Sequence, residues 1–507
     1  MKIAAFTFVL GILVYIQMIT DWLANPDALW EGLLFRTDYS WQDSLGRIGL
    51  QPFNKLKGFF HYPALQSIFC LFLVALATML LCELFHIRRQ LWGIVLGFLM
   101  ICSPFMCDVL TYYYLADAFI FAFFLSVLFV YILAENKPNW TIPVAAALLA
   151  CSLSLYQAFL GTSITLCLLY LLFCLLTKQD GVKIILRQGG RFLLGGGTGT
   201  LLYLLVYKCY CILKRISPTP DRGFATMGNI PAEKILSLIK QAYTCFIDYY
   251  FNDNMFNNSW HLRGKCNLII FVIIAIVTIV LIWKKHDIQT TLLTVFGMLL
   301  LPLSFMSIVV YAPEISVRGV TGVLMLPHMN FIYLFLIALV AGEGSETTVR
   351  AYAKWASLAV LTYMSLTLVI YVQIFQNCKK MELNKDYALA QRIVTQVESL
   401  PEYYSGMKLM IGGNAENGNY PKNYQDMYYV VQGTSATYGY FWDSIIGIQN
   451  CWIGFLRNYL GVTYSICNID EVNTIMESEE YAEMPIFPEA GSVRMIEGIA
   501  TVKLSHE

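Results

Sequence analysis

Apolar residues along the chain fall into long runs separated by polar connectors. A helix needs about 20 apolar residues to span the hydrocarbon of a bilayer, and runs near that length recur as far as residue 375. The pattern predicts about eleven membrane-spanning helices. We place them near residues 3–19, 64–84, 91–107, 116–134, 141–159, 160–176, 192–213, 267–283, 290–310, 325–341 and 355–375. The division within 141–176 is the least distinct of these.

The pattern changes after the last span. Residues 384–399 keep a helical period of apolar positions, and Lys408 to Gly413 is a short apolar run that ends in two glycines. A helix followed by a strand predicts a small α/β or α+β domain. We therefore expect an α-helical polytopic membrane protein in two parts, a transmembrane domain of residues 1–376 and a C-terminal domain of residues 377–507.

Composition supports a membrane location. Hydrophobic residues make up 57% of the chain and charged residues 13%, whereas soluble domains average about 25% charged residues. The net charge is zero, so nothing indicates a nucleic-acid partner. Most of the 14 cysteines lie in apolar runs, where we interpret them as small core residues. A bridge between Cys451 and Cys467 is the alternative for the tail.

Cations mark one side of the predicted bundle. If the N-terminus is cytoplasmic, the connectors on that side contain Arg88, Arg89, Lys137, Lys178, Lys183, Arg187, Arg191, Lys284, Lys285, Arg350 and Lys354. The opposing short connectors, around 104–117 and 156–159, contain no Lys or Arg. This is the positive-inside distribution. It predicts that the loops 20–63, 104–117 and 214–266, and the C-terminal domain, are extracytoplasmic.

The first outer loop is richer in polar chemistry than a connector needs. About 40 residues join the first two spans, and they include five carboxylates and several aromatic and cationic side chains. A simple connection between helices needs only a few polar residues. We therefore expect chemistry in this loop, just outside the bilayer.

Further polar residues lie at the predicted outer ends of later spans. They are Asp108 and Asp117 in the second outer loop, Ser154, Tyr156 and Gln157 in the third outer turn, and Arg318 after Glu314 in the fifth. Ionisable residues at membrane depth are costly and are functional by default. The alternative is that they satisfy helix ends at the headgroup level, where tyrosine is common.

A run of glycines within the span 192–213 has a structural interpretation. Gly195-Gly-Gly-Thr-Gly199 lacks the Gly-Lys-Ser/Thr of a phosphate-binding loop and lies inside an apolar segment. Small residues at helical spacing let two membrane helices approach closely. We therefore predict close helix packing here rather than phosphate binding.

Several short motifs resemble those of a known family. Asn25-Pro26-Asp27 and Leu45-Gly46-Arg47 in an acidic first loop, with a Leu155-Tyr156-Gln157-Ala158 turn, resemble the Gtr-type (type II) glucosyltransferases that modify bacterial O-antigens. The resemblance covers the layout of residues 1–375, although Ile48 stands where an aromatic residue is expected. It implies a GT-C type fold, a polyprenyl-phosphate-linked sugar donor, commonly of glucose, and an extracytoplasmic glycan acceptor. It also implies location in the bacterial cytoplasmic membrane.

Such a transfer needs two kinds of group. A carboxylate takes the proton of the acceptor hydroxyl, and a cation stabilises the departing phosphate. Asp27 is the first candidate for the base, because it follows Asn-Pro and matches the acidic position of the family. The reserve candidates are Asp21, Asp38, Asp43 and Asp117.

The remaining roles go to residues of matching chemistry. Arg47 is the first candidate for phosphate binding, because a guanidinium grips phosphate with a planar fork, and Arg318 is the second. The candidates for sugar or acceptor binding are Tyr156, Gln157, Trp30 and Trp41. The chemistry requires no cofactor, although the acids leave a divalent metal open. The expected partners are the lipid bilayer, the polyprenyl-phosphate sugar and the acceptor glycan.

Two other functions remain open from the sequence. A flippase or transporter of lipid-linked glycans would place its site near the midplane and often has repeated halves. We find no internal repeat, and the ionisable residues lie at the outer ends of spans. An O-antigen polymerase or ligase would concentrate its chemistry in a later outer loop, whereas here the first loop is richest.

The cation distribution generates a prediction about topology. A cytoplasmic reporter fused before residue 1 and a periplasmic reporter fused after residue 507 should both be active in bacteria, because the positive connectors stay inside. Activity of a cytoplasmic reporter after residue 507 would contradict the orientation and the assignment of the outer loops.

Overall fold

The computed structural model describes residues 1–505 apart from short gaps. The gaps are residues 31, 135–137, 179–180, 220–226, 229, 253–260, 286, 318, 342–347, 414–426, 432 and 437–444. Helices dominate the described residues, and a small sheet lies near the C-terminus.

Within the described ranges, seven helices are long and apolar enough to cross a membrane. They are Pro63–Leu84, Ala116–Leu133, Gln157–Thr177, Val182–Lys214, Arg263–Lys285, Ile288–Phe305 and Ala351–Glu398. Their length and apolar character indicate a membrane protein.

The other predicted segments also form apolar helices. The first is a bent pair, Lys2–Val14 and Ile16–Trp30, whose axes differ by 59°, and it counts as an eighth span if it crosses as one. Gln90–Ile101, Thr141–Leu155 and Pro327–Ala341 are shorter, at 10–17 residues. An apolar helix thus lies at every predicted segment, while the number of spans stays a prediction.

The bend in the first span has a specific partner. The chain breaks at Tyr15, and the Nε2 amide of Gln376 donates to the carbonyl of Val14 at 2.8 Å. The Oε1 of Gln376 accepts from the backbone N–H of Met18 at 3.1 Å. Lipid cannot satisfy backbone groups that a bend releases. A glutamine of the helix Thr348–Glu398 satisfies them instead.

Short helices form the connectors. They are Pro26–Trp30, Ser40–Ser44, Leu50–Lys55, Pro104–Val109, Ile235–Ile247, Ser307–Tyr311 and Gly319–Met325. The first three belong to the first loop, and a bridge between the backbones of Phe35 and Phe60 closes that loop. The first loop is therefore a folded element that can hold side chains in fixed positions.

The C-terminal residues contain a four-stranded sheet. The strands are β1 (Lys408–Gly412), β2 (Ser465–Ile466), β3 (Val493–Ile496) and β4 (Ile499–Lys503). Their order is β2-β1-β4-β3, with β1 parallel to both neighbours and β3 antiparallel to β4. The helices given for the described part of this region are Ile445–Phe455, the π-helical turn Leu456–Leu460, Ile469–Met476 and Glu479–Ala482. The predicted strand at Lys408 is confirmed.

The C-terminal region packs against connectors that the sequence analysis predicts to be extracytoplasmic. The helix Ile445–Phe455 contacts Pro26–Trp30 of the first loop. The Oδ1 of the buried Asp108 accepts from the backbone N–H of Ser435 at 2.8 Å and from its hydroxyl at 2.6 Å. Burial raises the pKa of Asp108 to about 7. The helix Thr348–Glu398 runs unbroken across the division at residue 376, so the two-domain division stays a prediction.

The two tail cysteines considered for a bridge are both thiols. Cys451 donates to the carbonyl of Pro26 at 3.5 Å. Cys467 lies in a separate apolar cluster with Met410 and Val472. The interpretation of the cysteines as core residues therefore holds for this pair.

Two glycines of the Gly195–Gly199 run allow close helix packing. A Cβ built on Gly199 would lie 2.9 Å from the carbonyl oxygen of Ala146, and one on Gly195 would lie 2.7 Å from Leu133. Gly197 has no atom within 4 Å of its Cβ position. The prediction of close packing is confirmed at Gly195 and Gly199.

This difference generates a prediction about stability. Gly199→Ala should lower the thermal unfolding temperature in detergent, because its methyl group overlaps Ala146 and overpacking costs about 1–3 kcal/mol. Gly197→Ala is the matched control, since alanine gains about 1 kcal/mol of helix propensity there and meets no neighbour. Equal unfolding temperatures for the two variants would contradict the close contact.

Candidate functional site

One cavity of about 220 Å³ lies where several predicted outer connectors meet. Its polar lining residues are Arg47, Tyr156, Gln157, Tyr311, Glu314 and Ser316. The rest of the lining is apolar, with Leu45 and Ile308 among its members. Arg47 and Glu314 are the only charged side chains among the described lining residues. The structure therefore brings together three predicted site residues, Arg47, Tyr156 and Gln157.

The position of Arg47 is fixed by the end of a short helix. The helix Ser40–Ser44 is followed by Gly46 at φ +78°, a left-handed conformation that favours glycine. The N–H of Gly46 donates to the carbonyl of Asp43 at 3.0 Å, and the N–H of Arg47 donates to that of Gln42 at 2.9 Å. These two bonds form a Schellman motif. The Leu-Gly-Arg sequence thus ends a helix and sets the direction of Arg47.

Aromatic rings support the guanidinium of Arg47. Its centre lies 4.7 Å from the ring of Tyr156 and 5.8 Å from that of Phe119. The two rings stack at 4.1 Å with an angle of 12° between their planes. A cation over an aromatic face is attracted by the ring quadrupole. Arg47 is half-buried, so this stack restricts the orientation of its fork.

Gln157 joins the turn between Thr141–Leu155 and Leu160–Thr177 to the first loop. The helix Thr141–Leu155 ends at Tyr156, whose backbone is extended, and a single 3₁₀ turn begins at Gln157. The Nε2 of Gln157 donates to the carbonyl of Leu45 and to the hydroxyl of Tyr203, each at 2.8 Å. This confirms the predicted break between two helices and gives Gln157 a role in shaping the cavity.

Three tyrosines of one helix hold the same segment of the first loop. They lie at i, i+4 and i+7 near the end of Val182–Lys214, which places them on one helix face. Their hydroxyls donate as follows: Tyr203 to the carbonyl of Gly46 at 2.9 Å, Tyr207 to that of Ser44 at 3.2 Å, and Tyr210 to the carboxylate of Asp43 at 2.8 Å. The sequence analysis missed this stripe, although its helical spacing was a detectable signal.

Asp43 accepts the hydrogen bond from Tyr210 and does not line the cavity. Its side chain is buried, and its Oδ2 accepts from the Tyr210 hydroxyl. Burial raises the pKa of Asp43, and the bond from Tyr210 opposes part of that rise. Asp43 therefore helps to position the segment before Arg47.

Asp117 lies in an ion pair. Its Oδ2 accepts from the ammonium group of Lys57, and its Oδ1 accepts from the N–H of Ala118 at 3.0 Å. The nearby His61 is buried, and burial lowers the pKa of its imidazole to about 3, with Lys57 and Arg36 adding to the effect. His61 is thus neutral near pH 7, and Asp117 is compensated by Lys57.

Asp27 lies at the start of a capped helix. The Oδ1 of Asn25 accepts from the N–H of Ala28 at 2.9 Å, and Pro26 is the first residue of the helix Pro26–Trp30. Asn caps and a proline in the first turn favour a helix start. Asp27 is half-buried there and is not among the cavity-lining residues.

The other site candidates that the structure describes also lie apart from the cavity lining. Asp38 is exposed, and its carboxylate accepts from the N–H of Ser40 at 2.9 Å, which lowers its pKa. Trp30 and Trp41 are 42% and 45% exposed. Arg318 is outside the described residues. Across the described ranges, no three His, Cys, Asp or Glu side chains converge to hold a metal.

Within the described ranges, seven long apolar helices indicate a membrane protein, and a cavity with two charged lining residues lies among their connectors. A family model described as glucosyl transferase GtrII matches residues 33–329, more than half of the chain. The chain therefore belongs to the GtrII glucosyl transferase family, which confirms the resemblance and implies a glycosyltransferase. The match begins after Asp27 and contains all the cavity-lining residues. No curated protein and no solved structure matches the chain.

The tyrosine stripe generates a prediction. Tyr203→Phe should lower both the unfolding temperature and sugar transfer, because it removes a hydroxyl that bonds Gly46 and Gln157. A lost buried hydrogen bond costs about 1–3 kcal/mol. Tyr363→Phe is the matched control, because Tyr363 is 44% exposed on another helix. Unchanged transfer in Tyr203→Phe would contradict a positioning role.

Proposed function

We propose that this protein transfers a hexosyl residue, glucose by the family description, from a polyprenyl-phosphate-linked donor to an extracytoplasmic glycan of the cell envelope. The single observation that carries the proposal is the cavity in which Arg47 lies beside Tyr156 and Gln157. It adjoins long apolar helices, where a lipid-linked sugar presents its anomeric carbon.

Arg47 is suited to hold the donor phosphate. A guanidinium offers two parallel N–H donors to phosphate oxygens, and its charge stabilises the negative charge that develops as the sugar leaves. The Tyr156–Phe119 stack orients the group before substrate arrives. Preorganised donors of this kind cost little reorganisation during the reaction.

Sugar and acceptor recognition are assigned to neighbouring groups. Tyr156 lines the cavity in which the sugar would bind, and Gln157 fixes the cavity wall through its bond to Leu45. Trp30 and Trp41 expose ring surface on the first loop. Such rings are suited to contact an acceptor glycan, since an aromatic body with a polar tip binds partners at wet surfaces. The reaction as proposed needs no cofactor.

The proposed orientation is multi-pass in the bacterial cytoplasmic membrane, with a cytoplasmic N-terminus and an extracytoplasmic C-terminal region. Arg47, Tyr156 and Glu314 belong to the predicted first, third and fifth outer connectors, and all three line one cavity. Connectors on one side of a bundle can meet in this way, which supports assigning them to the same side. The cation-rich connectors are then cytoplasmic.

A substitution separates phosphate binding from attraction to lipid at Arg47. Arg47→Lys keeps the positive charge, which suffices for attraction to anionic lipid at about 1 kcal/mol per cation, but it loses the planar fork. We expect transfer from a polyprenyl-phosphate glucose donor to fall about tenfold or more, with membrane insertion and unfolding temperature near those of the wild type. Purified protein in detergent with labelled donor gives the measurement.

Arg457→Lys is the matched control, because Arg457 is exposed in the C-terminal region and does not line the cavity. Normal transfer in Arg47→Lys would indicate a lipid anchor at Arg47 and contradict its assignment to phosphate.

A further inference from the structure

We propose that Glu314 is the general base that takes the proton from the acceptor hydroxyl, in place of the first-loop aspartates. This inference rests on the proposed function and deepens it. The sequence analysis considered Glu314 only as the neighbour of Arg318, so its presence in the cavity is new information from the structure.

The cavity contains one charged group of each kind. Among its described lining residues, Glu314 is the only carboxylate and Arg47 the only cation. Arg47 follows the helix Ser40–Ser44 of the first loop, whereas Glu314 follows the helix Ser307–Tyr311. A direct displacement needs the base on one face of the sugar and the leaving phosphate on the other. The cavity supplies one group of each kind, the carboxylate of Glu314 and the guanidinium of Arg47.

The segment that carries Glu314 is anchored. The hydroxyl of Tyr311 donates to the carbonyl of Ala158 at 3.4 Å, which ties the segment to the third outer turn. Ala312 and Val317 are buried on either side of Glu314. Glu314 itself is exposed. The backbone that carries Glu314 is therefore anchored beside the cavity, and the exposed side chain is accessible to an acceptor.

The exposures of the two charged groups match the two substrates. Arg47 is half-buried with its guanidinium over the ring of Tyr156, whereas Glu314 is exposed. The donor phosphate is attached to a lipid, and the acceptor is a water-soluble glycan chain. The half-buried cation Arg47 suits the lipid-linked donor, and the exposed carboxylate of Glu314 suits the water-soluble acceptor.

The proposed step is balanced in atoms and electrons. The acceptor oxygen forms a bond to the anomeric carbon, and the bond from that carbon to the phosphate oxygen breaks with its electron pair on the phosphate. The hydroxyl proton moves to the carboxylate of Glu314 and later passes to water. Arg47 stabilises the released polyprenyl phosphate. The step uses no further reactant.

The Asn25-Pro26-Asp27 motif has a structural role at the start of a helix. The Asn-Pro-Asp sequence starts the helix Pro26–Trp30, with Asn25 as its cap. An acidic residue in a first turn interacts favourably with the helix dipole. That helix packs against Ile445–Phe455 of the C-terminal region. Asp27 therefore fits a role in holding the first loop to the C-terminal region.

The test compares matched acid-to-amide substitutions in the full-length protein. Glu314→Gln should lower kcat for transfer from polyprenyl-phosphate glucose about 10²-fold or more, because loss of a general base has this size of effect. The donor KM and the unfolding temperature should stay near wild-type values, because the side chain is exposed and Arg47 is intact. Glu314→Asp should recover part of the activity. Glu233→Gln, an exposed glutamate outside the cavity, is the control.

Three outcomes decide the proposal. A large loss of kcat in Glu314→Gln alone, with partial recovery in Glu314→Asp, supports it. Wild-type kcat in Glu314→Gln together with loss in Asp27→Asn overturns it and returns the role to Asp27, while the transferase assignment survives. Absence of transfer by the wild-type protein from any polyprenyl-phosphate hexose overturns the proposed function itself. Failure of the base assignment alone leaves wild-type transfer and donor binding intact, and donor binding is measured by fluorescence quenching.

Discussion

The hydrogen bonds between three tyrosine hydroxyls and the first loop are the constraint on which the cavity depends. Tyr203, Tyr207 and Tyr210 lie on one face of a single helix and bond to the segment that ends at Gly46. Each such bond contributes about 1 kcal/mol net, so three amount to roughly 3 kcal/mol. That is about a hundredfold bias toward one arrangement of the loop. Arg47 follows this segment directly, so the helix Val182–Lys214 determines its position through the tyrosine bonds.

Ion pairing and burial reduce the number of ionisable groups in the first loop and next to it that carry an uncompensated charge. Lys57 compensates Asp117, and the imidazole of His61 is neutral because burial, Lys57 and Arg36 lower its pKa to about 3. Burial also raises the pKa of Asp43. The first loop has many ionisable groups, but among its described residues Arg47 is the only charged one that lines the cavity. Arg47 and Glu314 therefore set the electrostatic character of the site.

The sequence predicted what depends on local pattern. Long apolar runs located the helices, and short motifs identified Arg47, Tyr156 and Gln157, because capping and helix-breaking turns are encoded by adjacent residues. It could not predict that Glu314 joins Arg47, since their contact with one cavity requires the whole bundle to assemble. Asp27 was chosen because it follows Asn-Pro and matches the acidic position of the family. The structure shows that Asn25 caps the helix that contains Asp27, and the role of Asp27 as a base stays a prediction.

Packing inside the bundle and geometry at the site are linked through one helix. Val182–Lys214 approaches its neighbours closely at Gly195 and Gly199, and it presents the tyrosine stripe a few residues further on. Tyr203 lies one helical turn beyond Gly199, so a helix displaced by a methyl group at Gly199 would also move the hydroxyl that bonds Gly46. Packed interiors transmit such shifts because they contain few voids. The close packing at Gly199 is thus linked to the segment before Arg47 through Tyr203, although neither glycine contacts Arg47.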